Sequence, residues 1–159
     1  MKSIIYSLLF FSLNGLATPN STDVFSLAKM PCFGTCPVYE VSVFSDGVIV
    51  FNGEAHTKLK GIYRLPNDSD LFQRILRLLD NSDFQTFRDN YGWTPEGEES
   101  PCKEEWTDHP STMLTMQYAN SNKTVYHYHG CKGFEREEEL EAIENSLFEL
   151  IGLQSYVNP

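Results

Sequence analysis

The chain is short of positive charge and without a long apolar run beyond its first residues. Only 12 Lys and Arg stand against 22 Asp and Glu in 159 residues, a formal charge of −10. Nucleic-acid and anionic-lipid binding need basic patches, so neither is expected. No later stretch has the length and apolarity of a bilayer span, so a membrane-spanning mature chain is not expected either. A Gly-rich phosphate loop is missing, and no serine stands in a nucleophile-elbow context. There are no internal repeats and no low-complexity segments. One domain of ordinary size, with one core, is the simplest organisation.

What is present begins with Met1-Lys2-Ser3 and the apolar run Ile4-Ile5-Tyr6-Ser7-Leu8-Leu9-Phe10-Phe11-Ser12-Leu13. Asn14-Gly15-Leu16-Ala17 then supplies the small residues that a signal peptidase reads. The run is too short to span a bilayer and has no basic stop-transfer flank, so residues 1–17 are expected to be a cleaved signal peptide. Cleavage after Ala17 removes Lys2 and no acid, which takes the formal charge from −10 to −11. The expected location is outside the cytoplasm, either periplasmic or secreted. Four cysteines in such a compartment are expected to form disulfides, and four allow three pairings.

Residues 18–23 read as a loose polar leader and residues 24–159 as the single globular domain. Residues 24–28 predict a first strand. Residues 38–44 and 48–53 are rich in β-branched and aromatic residues and flank Ser45-Asp46-Gly47, the strongest hairpin signal in the chain. Residues 58–65 predict another strand, stopped at Pro66. Asn67-Asp68-Ser69-Asp70 offers helix caps, and Leu71, Phe72, Ile75, Leu78 and Leu79 recur at helical spacing to about Asp80. Phe84, Phe87 and Tyr91 read as core anchors. Residues 92–109 form a polar loop carrying Glu96, Glu98, Glu99, Glu104, Glu105 and Asp108. Residues 113–118 and 123–129 predict a second hairpin around Asn120-Ser121-Asn122. From Glu135 the pattern is helical again, with a stripe of Leu140, Ile143, Leu147, Leu150 and Ile151 and glutamates on the opposite face. The expected fold is α+β in two layers: an antiparallel sheet of two hairpins plus flanking strands, with two amphipathic helices on one face.

The run Cys32-Phe33-Gly34-Thr35-Cys36-Pro37-Val38-Tyr39 carries a resemblance, with Asp46-Gly47, Cys102, Trp106-Thr107-Asp108-His109-Pro110 and His127-Tyr128-His129-Gly130-Cys131 following in order. Together they resemble the bacterial exported family catalogued as domain of unknown function 6438. That resemblance implies a secreted or periplasmic single domain, often with two cysteine pairs, and implies no activity. Cys32 and Cys36 can be bridged if Phe33-Gly34-Thr35 turns back, which Gly34 permits. The other reading of this pair is a redox or copper site, but Cys36 leads into strand-forming residues rather than a helix N-terminus, the usual source of a lowered thiol pKa. Joining Cys102 to Cys131 would close about thirty residues and contribute roughly 3–4 kcal/mol.

Three candidate sites follow. Trp93 and Trp106 flank the acidic loop, and with Asp108, His109, His127 and His129 they form the candidate binding surface, for an unknown protein, peptide or envelope component. The alternative is a metal or thiol redox centre. Side chains two apart on a strand share a face, so His127, His129 and Cys131 would ligate together, completed by Asp108 or His109. The competing expectation places those histidines on the outer strand face, with Tyr126 and Tyr128 packed inward. The loop acids lack the spacing of a calcium loop. A hydrolase built on them has no further support, because paired carboxylates can be picked from any acidic loop. The leading expectation is a non-catalytic exported domain without metal or cofactor.

Overall fold

The computed structural model describes residues 23–95 and 97–157. The expected signal peptide and the leader up to residue 22 lie outside the described residues. Asp23, the last residue assigned to that leader, is buried, and its carbonyl accepts a hydrogen bond from Ser45 N at 3.0 Å.

The elements are β1 (Val24–Lys29), β2 (Val38–Phe44), β3 (Ile49–Ala55), β4 (Gly61–Leu65), α1 (Leu71–Asn81), β5 (Asn90–Tyr91), β6 (Glu104–Glu105), β7 (Ser111–Tyr118), β8 (Ser121–Tyr128), β9 (Cys131–Lys132) and α2 (Glu137–Ile151). Seven strands form one sheet in the order β4-β3-β2-β1-β7-β8-β5, and β6 pairs with β9 apart from it. Among the described residues the fold is a mixed one, with a mostly antiparallel sheet and two α-helices. One pairing departs from the antiparallel expectation: β5 runs parallel to β8. No reversing turn joins these two. The chain reaches β5 on its return from α1, and Tyr126 N donates to Asp89 O at 2.9 Å as it enters.

The β2–β3 hairpin turns where Asp-Gly predicts it. Gly47 has φ 87°, and a Cβ there would meet the Ser69 backbone at 3.0 Å, so both conformation and close approach require glycine. Asp46 Oδ1 accepts from Val48 N at 3.0 Å and closes the turn. At α1, Asp68 acts as the cap, its Oδ1 accepting from Leu71 N at 3.1 Å. Leu71, Phe72, Ile75, Leu76 and Leu79 are buried; Leu76 joins the stripe, and Leu78 is only partly buried. In α2, Glu137, Glu138 and Glu139 fill the first turn, where the helix dipole favours acids. The chain leaves α2 through Gly152 at φ 75°.

Alternation along the strands sends Phe25, Leu27, Tyr39, Val41, Val43, Phe51, Leu114, Met116 and Val125 into the core. Phe84, Phe87 and Tyr91 are buried as anchors. The register lines up one row across the sheet: Gly53, Tyr39, Lys29, Thr112, His127 and Tyr91. That row carries the polar groups that α2 meets.

Candidate functional site

β8 has two faces, and the structure divides the candidate residues between them. Val125 and His127 point inward, opposite Leu114 and Thr112 of β7. Tyr126 and Tyr128 therefore lie on the outer face and are half-buried. This reverses the expectation of inward tyrosines. A phenol on the outer face keeps partners for its hydroxyl: Tyr126 Oη is 2.7 Å from Ser111 Oγ, and Tyr128 Oη donates to Trp106 O at 2.7 Å. His127 tolerates burial because a carboxylate waits for it on α2.

On the outer side, the two ends of the loop meet these tyrosines, at Gly92 and at Trp106 and His109. Gly92 packs so closely that a Cβ would meet the Tyr126 ring at 2.7 Å. At the other end, Trp106 N donates to Gly130 O at 2.8 Å, and a Cβ on Gly130 would strike Trp106 O at 2.0 Å. The Cys102–Cys131 disulfide pins the same stretch, with β6 and β9 pairing beside it. Held in this way, Trp93 is 77% exposed and Trp106 51% exposed. The Trp106 ring lies 5.9 Å from that of His109. Asp108 is exposed, in a left-handed conformation at φ 67°. Three acids of the loop are held by neighbours: Glu104 accepts from Trp106 Nε1 at 3.3 Å, Glu105 from Ser100 Oγ at 3.1 Å and Asp108 from Thr107 Oγ1 at 3.1 Å.

On the inner side, Glu144 is the centre. Its Oε1 is 2.7 Å from His127 Nδ1. Its Oε2 accepts from Thr112 Oγ1 at 2.8 Å and Lys29 Nζ at 3.1 Å, and lies 3.1 Å from His129 Nε2. Burial by itself would raise this carboxyl, but the hydrogen bonds from His127 and His129 and the charge of Lys29 outweigh it and hold it well below the usual carboxylate range. Nearby, burial pushes the Tyr39 phenol up, and the charge of Glu144 adds to that. The two histidine rings lie 4.3 Å apart. His127 Nε2 is buried and has no hydrogen-bond partner among the described residues.

Cys32 is bonded to Cys36 and Cys102 to Cys131. The second bond corrects the alternative ligand set, since Cys131 Sγ is committed to Cys102 and is not a free thiolate. The first pair lies in the loop between β1 and β2, and Cys36 leads into β2 rather than into a helix.

The family model described as domain of unknown function (DUF6438) matches residues 23–151. The chain belongs to that family. No curated protein matches it. The DUF6438 match runs from β1 through the last residue of α2, so both faces of β8 lie inside it.

Trp106, Asp108 and His109 are brought together on the outer face, while His127, 1% exposed, and His129 belong with α2. Sequence reasoning missed Lys29, Thr112 and Glu144. A signal for Glu144 was there: position 144 falls at helical spacing between Leu140 and Leu147, inside the apolar stripe rather than on the acidic face. Among the described residues no helix is long and apolar enough to cross a membrane.

Proposed function

We propose that this DUF6438 domain is a non-catalytic exported module that binds a protein, peptide or other envelope component through residues 92–109 and the outer face of β8. The observation that carries the reading is a pair of exposed indoles, Trp93 and Trp106, on a loop tied down by Cys102–Cys131 and by the hydroxyl of Tyr128. A loop fixed in this way loses little conformational freedom when it binds, and Trp is enriched among the residues that dominate binding energy. The acidity of the chain favours a partner with basic or neutral contacts.

The test is Trp106→Ala, alone and with Trp93→Ala, with both disulfides verified intact by mass. Immobilised wild-type protein is expected to retain an envelope-extract component that the double variant loses. Equal retention by both removes the loop from the function.

A further inference from the structure

His127 has one engaged nitrogen and one bare one. Nδ1 is held at 2.7 Å by Glu144 Oε1, and Nε2 is buried with no hydrogen-bond partner among the described residues. An unsatisfied buried polar atom carries a desolvation cost that a ligand removes. A histidine whose one ring nitrogen meets a carboxylate while the other stays open is how proteins orient an imidazole toward a metal. His127, His129 and Glu141 also each offer one ligating atom, and these three atoms lie within 4.8 Å of one another. Small side-chain movements bring such a set to the bond lengths of about 2.0–2.2 Å that a Zn²⁺ ion takes from nitrogen and carboxylate oxygen.

We propose that His127, His129 and Glu141 form a site for a divalent transition ion of the Zn²⁺ class, with Glu144 positioning His127 from behind. Two imidazoles and one carboxylate suit that class, whereas Ca²⁺ and Mg²⁺ take oxygen sets. Three protein donors leave a fourth position for water. The two neighbouring ammonium groups have other partners. Lys132 bridges Glu141 Oε1 at 3.0 Å and Glu137 Oε1 at 2.9 Å, so it keeps Glu137 when Glu141 turns to the ion. Lys29 lies 3.3 Å from His129 Nε2 and keeps Glu144 and Thr112 when that ring is ligated. The disulfide excludes Cys131, so the site contains no thiolate. It is independent of the indole surface on the other side of β8.

The test uses the full chain with both disulfides formed, stripped of metal by chelation and dialysed. Zn²⁺ is titrated by calorimetry, and the product is weighed by native mass spectrometry. The wild type is expected to retain one Zn²⁺ per chain, and Co²⁺ in its place to give visible ligand-field bands without a thiolate charge-transfer band. Glu141→Gln, at a half-buried position, and His129→Gln are expected to lose retention while keeping the wild-type circular dichroism. Glu144→Gln should loosen Zn²⁺ about 10–100-fold, and His56→Gln, away from the site, should leave it unchanged. The proposal is overturned if the wild type retains no Zn²⁺, if Glu141→Gln and His129→Gln both bind as tightly as the wild type, or if a thiolate band appears.

Discussion

Glu144 decides the polar interior, because Lys29, Thr112, His127 and His129 all meet its two oxygens. Removing it leaves a buried imidazole and a part-buried ammonium without their anion. Glu144→Ala is therefore expected to cost about 3–5 kcal/mol, read from urea unfolding at neutral pH. Its folded carboxyl lies below its ordinary value of 4.5, so the unfolded chain takes the proton first as pH falls. The stabilisation from this group is thus complete above that value and is lost as pH drops further. Glu144→Gln is expected to flatten the fall in stability below about pH 5, and an equally steep fall in the variant would contradict this. Two of the five residues in this network, His127 and His129, were legible. The two-residue spacing put His127 and His129 on one face, and that is where they lie. Which face was not legible, because the choice rests on a carboxylate 17 residues away on α2. With Glu144 read as solvent-facing, a buried histidine had no visible partner, and two tyrosines looked the better core residues.

Among the elements, those made by local chemistry were readable and those made by tertiary pairing were not. The hairpin at Asp46-Gly47 and both helices appear where turn residues and apolar spacing place them. β5, β6 and β9 are two residues each. No periodicity is visible over that length, and each exists only because another part of the chain supplies its neighbour. Caps were legible in kind but not in position. Of the candidates in Asn67-Asp68-Ser69-Asp70, it is Asp68 that bonds Leu71 N, and its second oxygen also holds Arg74. Asp68→Ala is expected to cost about 1 kcal/mol, seen as a lower urea midpoint, whereas Asp70→Ala should cost much less because its side chain does not cap the helix. Arg136 does a similar service between helices. It sits 3.8 Å over the Phe87 ring, donates to Ser82 O just beyond α1, and pairs with Glu139 at the start of α2.

At the scale of the whole molecule, the two disulfides differ in reach. Cys32–Cys36 closes a separation of 4 residues and Cys102–Cys131 one of 29. Serine at both Cys102 and Cys131 is expected to lower unfolding free energy by roughly 3–4 kcal/mol, and the same change at Cys32 and Cys36 by clearly less, both measured without reductant. Equal losses would mean that the long loop is held by its packing against Tyr126 and Tyr128 instead. That the cysteines would pair was legible from their number and the expected compartment. That the long bridge would anchor one flank of a strand whose other side holds a buried carboxylate was not, because it depends on the sheet register.

The place of β1 bears on how the molecule is made. It takes β2 on one side and β7 on the other, and Lys29 reaches Thr112 across 83 residues. If β1 to β4 pair through their neighbouring reversals before β7 and β8 are in place, one flank of β1 is still bare. That flank waits for the β7–β8 ribbon. Until the ribbon docks, the strand that ends up in the middle of the sheet is its open border, and strangers have the same access to it as its proper neighbour.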